Sequence, residues 1–297
     1  MAYAMVMYEQ LIEMIMLHNA YFLDSSPTPR SCAVFSSPHS GAEYPEPFLR
    51  DSCLTPLQLR SSEDAYVDRF IGETLGAPVI KARFPRAYVD LNRAADELDP
   101  AIIQNASGRP TNPRIAAGLG VIPRVVANGR AIQLGKMKRA EAEARLTACY
   151  HPYHTALAGL VEAQRQRFGT CYLFDIHSMP RSALPSGLLT RRPDIVLGDR
   201  YGTACGHWLS DSVAEHFEQA GFNVARNTPF AGGYITRHYG APHQGVHVLQ
   251  IEIDRSLYMN EARVELHRDF EDTRQRIAAV FTKLASISAC PQSLAAE

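Results

Sequence analysis

Short runs rich in β-branched or aromatic residues alternate along this chain with long amphipathic stretches, and this alternation constrains the fold more than any other feature. The runs are Ala33–Phe35, Ala77–Ile80, Tyr88–Leu91, Tyr172–Ile176, Asp194–Leu197, Asn223–Ala225 and Val246–Ile253. The amphipathic stretches cover about Thr55 to Leu75, Lys138 to Phe168, Gly206 to Ala220 and Asn260 to Ser286. Strands that alternate with helices predict an α/β fold, a three-layer α/β/α sandwich with helices on both faces of a mixed, largely parallel sheet. No repeat, low-complexity tract or linker divides the chain, so residues 31–290 read as one domain and residues 1–30 as an N-terminal extension or helix. Two stretches depart from the alternation. Ala94 to Ala131 carries Asp-Pro, Gly-Arg-Pro, Asn-Pro and Asn-Gly turns and reads as a functional loop or lid. Asn227 to Gln244 is rich in glycine and aromatics and feeds the Val246 strand, so it should line the same cleft.

Composition narrows the function classes. A formal net charge of −1 gives no electrostatic reason to expect nucleic acid or an anionic membrane as partner. Six cysteines are scattered without a C-x-x-C pair, which fits neither a disulfide framework nor a structural zinc knuckle and suits a reducing, cytoplasmic setting. The first 23 residues lack a basic start, an unbroken apolar run and a cleavage site, and Glu9, Glu13 and His18 make them too broken to span a membrane. Leu11, Met14, Ile15 and Leu23 would make one apolar helical stripe, packed on the body or on a second subunit of a homo-oligomer.

Chemistry concentrates at strand ends. In Tyr172-Leu-Phe-Asp-Ile-His-Ser-Met-Pro180, Asp175 and His177 fall two residues apart and emerge on one face where the strand stops. One such histidine could equally cap a strand, but two other segments share the design. Ala33-Val-Phe35 runs into Ser-Ser-Pro-His39-Ser-Gly41, and Leu249-Gln-Ile-Glu-Ile-Asp254 puts Gln250, Glu252 and Asp254 on one face of an apolar strand. A carboxylate so placed is costly unless paired or used, and burial raises its pKa toward that of a general base. Two histidines, a carboxylate ligand and an unligated glutamate are the parts of a catalytic zinc hydrolase, in which three protein ligands leave one position for water.

The segment Arg83-Phe-Pro-Arg86-Ala-Tyr-Val-Asp-Leu-Asn92-Arg93 adds three arginines and an asparagine. Arginine binds carboxylates through paired hydrogen bonds, so a small carboxylate-bearing substrate is the natural partner. Arg237, in the glycine-rich loop, is a further candidate for substrate carboxylate or oxyanion. His151 and His154 lie on a predicted helix among aromatics and read as structural. His247 alternates away from Glu252 and is not assigned to catalysis.

These blocks resemble the N-formylglutamate amidohydrolases over about Val34 to Glu261. The resemblance runs through Pro-His39-Ser-Gly, Asp64-x-x-Val-Asp68, Ala82-Arg-Phe-Pro-Arg, Val89-Asp-Leu-Asn-Arg93 and Asp175-Ile-His177-Ser. It continues in Asp194-Ile-Val-Leu-Gly-Asp199, Gly232 to Gly240 and His247-Val-Leu-Gln-Ile-Glu252. More remotely, the order His, Asn-Arg, His, Glu is similar to that of zinc carboxypeptidases. The resemblance implies a phosphorylase/hydrolase-like sandwich, one Zn2+ on His39 and His177, Asn92 and Arg93 binding substrate carboxylate, and Glu252 as general base. It also implies cleavage of N-formyl-L-glutamate to formate and glutamate, in histidine degradation, with Arg86 or Arg237 helping to grip the substrate. The carboxypeptidase pattern His-x-x-Glu fails here, because Ala42 stands three residues after His39. Asp64 is favoured as third ligand, with Glu43 the alternative, and Asp68 and Asp175 as outer partners. Manganese, cobalt or iron would suit the same donors. Two other readings stand beside this one: a carboxypeptidase-like or amidase enzyme acting on a peptide or cell-wall fragment, and a non-catalytic binding protein with the same fold.

Overall fold

The computed structural model describes residues 20–24, 30–72, 76–106, 113–126, 129–184 and 192–288. Its strands are β1 (Tyr21–Asp24), β2 (Ala33–Ser37), β3 (Val79–Ala82), β4 (Cys171–Met179), β5 (Ile195–Gly198), β6 (Val224–Arg226) and β7 (Val246–Asp254). They form one sheet in the order β1-β3-β2-β4-β7-β5-β6. The central β3-β2-β4-β7 pairings are parallel, while β1 runs antiparallel to β3 and β5 antiparallel to β7. The main helices are α1 (His151–Phe168), α2 (His207–Gln219), α3 (Tyr234–Tyr239) and α4 (Phe270–Ala285).

Strand alternation divides the core into two layers. Tyr172, Phe174 and Ile176 of β4 and Leu249, Ile251 and Ile253 of β7 pack on one face with Leu209, Val213 and Phe217 of α2 and Ile277, Phe281 and Leu284 of α4. On the other face Leu173 and Val248 pack with Tyr153, Leu157 and Val161 of α1. This second face changes character along its length. Beyond Leu173 and Val248 the same rows continue as Asp175 and His177 on β4 and Gln250 and Glu252 on β7. The first half of each strand buries apolar surface, and the second half opens into a polar cleft.

Several local expectations change. Tyr88–Leu91 is not a strand. Asp90 Oδ1 accepts from Asn92 N at 2.9 Å, and a side chain that satisfies nearby backbone competes with ladder formation. The helix expected from Thr55 to Leu75 stops at Arg60, where the Ser61 and Ser62 hydroxyls donate back to the carbonyls of Gln58 and Leu59. That early stop frees Glu63 and Asp64 to turn inward, and both are buried. Asn260 to Ser286 opens as a two-stranded hairpin, Met259–Asn260 with Glu265–Leu266, before α4 begins. Leu23 lies on edge strand β1, so the sheet recruits residues ahead of position 31. Leu11, Met14 and Ile15 lie outside the described residues. No described helix is long and apolar enough to cross a membrane.

Candidate metal and active site

Parallel register lines up Ser36, Asp175 and Gln250 across the three central strands, and two residues further on sets His177 beside Glu252. His39 arrives from the turn after β2, and its carbonyl accepts from Asp64 N at 3.0 Å, which brings the Asp64 loop over the strand ends. His177 Nδ1 then lies 3.1 Å from both His39 Nδ1 and Asp64 Oδ2, and His39 Nδ1 lies 3.4 Å from that oxygen. A tetrahedral zinc with ligands at about 2.0–2.1 Å has ligand–ligand edges of roughly 3.3–3.4 Å. The triangle therefore has the dimensions of three metal ligands, and among the described residues it is the one such group found.

Each donor is held from behind. His39 Nε2 is 2.7 Å from Asp90 Oδ1, and His177 Nε2 is 2.8 Å from Asp175 Oδ2. Both imidazoles thus engage a carboxylate with one nitrogen and turn the other toward the shared centre, an arrangement that fixes ring orientation for metal binding. Asp64 keeps Oδ2 in the triangle while Oδ1 accepts from Arg255 Nη2 at 2.9 Å. Asp175 Oδ1 accepts from Ser36 Oγ at 3.1 Å, and Ser36 Oγ meets the Tyr153 hydroxyl at 2.9 Å, which ties the site to α1.

Electrostatics follow from this packing. Burial would raise the Asp64 carboxyl, but hydrogen bonds from His177 and His39 and the charge of Arg255 hold it well below the usual carboxylate range. Burial acts on Asp90 in the same way and loses to Arg93, Arg86 and His39. His177, which burial alone would keep neutral, is pushed well up by Asp175 and Asp64. Glu252 behaves differently. Burial raises it to about 7, with His177 opposing and Asp64 reinforcing the shift. Its Oε1 accepts from Gln250 Nε2 at 2.8 Å, and Gln250 Oε1 accepts from Gly233 N at 2.7 Å, so the glycine-rich loop is fastened to this carboxylate.

His39, Asp64, Arg86, Asn92, Arg93, His177 and Glu252 line a single cleft, with Ser178 and Arg255. Arg93, Asn92, Arg114 and Gly233 also line an adjoining outer compartment that adds Glu97, Arg200, Tyr234 and Arg237. Glu97 comes from the turns after Ala94 and Arg114 from the short helix Pro113–Ala116, which together supply one wall. Arg86 donates to Asp90 Oδ2 at 2.9 Å. Arg93 donates to the carbonyls of Leu119 and Asn92, at 2.8 and 2.7 Å. Asn92 joins the layers, accepting from Ile235 N at 2.8 Å with its Nδ2 3.3 Å from His177 Nε2.

Other candidates lie elsewhere. Glu43 is half-exposed and pairs with Arg83 at 2.7 Å. Asp68 has Lys81 and Arg69 as its charged neighbours and is absent from the donor triangle. His154 braces the turn at Leu91: its Nε2 is 2.9 Å from the Leu91 carbonyl and its Nδ1 is 2.9 Å from the Tyr239 hydroxyl. Burial lowers its pKa to about 4, as suits a neutral structural imidazole. His247 packs among Tyr172 and Trp208 and accepts from Gly206 N. Asp90, Gln250 and Arg255 were visible in sequence as polar residues near the quoted motifs, but nothing there assigned them a partner.

A family model described as N-formylglutamate amidohydrolase matches residues 31–259. The chain belongs to the N-formylglutamate amidohydrolase family. It is 31% identical to an N-formylglutamate deformylase of Pseudomonas aeruginosa over 233 residues, covering 77% of this chain and 82% of that protein. It is 29% identical to one from Pseudomonas putida, covering 84% and 90%. The solved structure of an N-formylglutamate amidohydrolase from Ralstonia eutropha superposes with a TM-score of 0.82 at 33% identity, covering 90% of this chain and 98% of that one. A gene product of Agrobacterium tumefaciens at 20% identity and a TM-score of 0.60 shares the fold, covering 92% of this chain and 96% of that one.

Proposed function

We propose that this member of the amidohydrolase family hydrolyses N-formyl-L-glutamate to formate and L-glutamate, using one divalent metal, zinc foremost, on His39, Asp64 and His177. The observation that carries the reading is a buried glutamate, raised to about 7, at the register position beside a three-donor triangle in an arginine-lined cleft. Family relatives carrying the name N-formylglutamate deformylase support the choice of substrate. A scattered set of free cysteines fits a cytoplasmic enzyme acting on a free metabolite.

The metal, when bound, supplies Lewis acidity at the formyl carbonyl and acidifies water. Glu252, buried and oriented by Gln250, takes the proton from the attacking water and returns it to the departing amine. Arg86 faces the same compartment, fixed by Asp90, and offers charge to the developing oxyanion. Asn92, Arg93 and Arg237 contribute to the wall that holds the substrate carboxylates. Formate release measured on the metal-loaded enzyme tests the assignment. Glu252→Gln should keep stoichiometric metal and lose about 10²–10⁴-fold in kcat. Full turnover by that variant would overturn the assignment of Glu252.

A further inference from the structure

Behind β5 the chain makes a turn that L-residues avoid. Arg200, Tyr201 and Gly202 adopt φ of 54°, 56° and 81° in succession, and only the last is glycine. Left-handed backbone at ordinary residues persists where the surroundings over-determine it, and it collects at binding sites. Here the surroundings are explicit. Asp199 Oδ1 accepts from Gly202 N at 3.1 Å and from Asn227 Nδ2 at 2.8 Å. Asn227 Oδ1 accepts in turn from Asp199 N at 3.1 Å and Tyr201 N at 3.3 Å, and Arg200 N donates to the Ala231 carbonyl at 2.8 Å. Gly232, at φ 118°, leaves a lane for the side chain, because a Cβ there would lie 3.0 Å from Arg200 Cγ.

This turn delivers Arg200 to the outer compartment of the cleft. The arginines deeper in the cleft are already engaged. Arg86 and Arg255 pair with Asp90 and Asp64, Arg93 binds two carbonyls, and Glu97 lies within the field of Arg93, Arg237 and Arg114. Among the described residues no carboxylate lies within 4.0 Å of Arg200, whose side chain makes one long contact of 3.5 Å, to the Gly232 carbonyl. A strained, pinned turn therefore holds a guanidinium with donors to spare over a cleft.

We propose that Arg200, with Arg237 beside it, binds the side-chain carboxylate of the substrate and thereby selects an N-acylated dicarboxylic amino acid over its neutral amide. The inference rests on the hydrolytic reading above. In such a substrate the α-carboxylate lies close to the scissile amide, against the Asn92 and Arg93 wall that both compartments share. The side-chain carboxylate extends further and reaches the outer compartment. A guanidinium fork aimed at a carboxylate strongly disfavours the uncharged analogue, whose amide leaves the charge unpaired.

Wild type and Arg200→Gln, both metal-loaded, should be compared on N-formylglutamate and N-formylglutamine. The variant should lose about 10²-fold in kcat/KM on N-formylglutamate, chiefly through KM, and far less on N-formylglutamine, so that the preference falls toward one. Arg200→Lys, which keeps the charge without the fork, should retain an intermediate preference and guards against a variant that fails to fold. Equal losses on both substrates, or an unchanged preference, would overturn the proposal and reduce the turn to a structural role. Failure of the hydrolytic reading looks different: wild type would then release formate from neither compound.

Discussion

At the inner end of the cleft Arg255 and Arg86 each lie 2.9 Å from a buried carboxylate, Asp64 and Asp90. At the outer end Arg237 lies over the Tyr234 ring, 5.8 Å from its centroid, and Arg200 has no carboxylate within reach among the described residues. The same side chain does two jobs. Inner guanidiniums complete a network whose charges must be paired because they are buried, and they fix the donors of the triangle. Arg200 and Arg237, by contrast, have no ion-pair partner within 4.0 Å among the described residues. Arginine count therefore says little about recognition; what each guanidinium already touches says more.

Asp64→Ala should produce the largest effect, because it removes a triangle donor and orphans Arg255 together. A loss of about 3–5 kcal/mol in denaturant unfolding is expected, with stoichiometric metal gone from elemental analysis. A loss under about 1 kcal/mol, the scale of an exposed ion pair, would erase the distinction between the two ends. Next in size is a pH effect at the inner end. Glu252 has no ion-pair partner there among the described residues, and its carboxyl is raised from 4.5 to about 7. With the metal chelated, the folded protein binds this proton more tightly than the unfolded chain. The stabilisation is thus complete below about pH 4.5 and lost as pH rises through about 7. Measured against Glu252→Gln, wild type should lose about 3 kcal/mol across that window, and a flat difference would contradict the burial argument. Smallest is Glu43→Gln, which breaks a half-exposed pair with Arg83. It should cost no more than about 1 kcal/mol and leave metal content intact, whereas lost metal would return Glu43 to the ligand set.

The sheet was legible where patterns are local. Six of the predicted runs fall on strands, because alternation and apolar runs report burial directly, and the Asp175, His177 and Glu252 positions followed from period-two geometry. What escaped depends on pairing across long sequence separations. Asp90 supports His39 from 51 residues away, and Arg255 reaches Asp64 across 191. No spacing rule connects such residues. Tyr88–Leu91 misled for a related reason: its composition is that of a strand, yet Asp90 and Asn92 are committed to partners that a ladder would have denied them. The Arg200 turn carries no glycine before position 202, so the usual sequence marker of left-handed backbone is missing from the two residues that matter.

The parallel register that sets His177 beside Glu252 has a consequence for how such an enzyme can diversify. Neighbouring strands are held about 4.8 Å apart by their backbone ladder, so the spacing between this imidazole and this carboxylate is a property of the sheet. Neither loop length nor rim composition can alter it. Descendants of this chain could thus rewrite the stretch after Ala94, or the turn at Arg200, while inheriting the same spacing between imidazole and carboxylate. Tinkering would be cheap at the mouth and forbidden at the root.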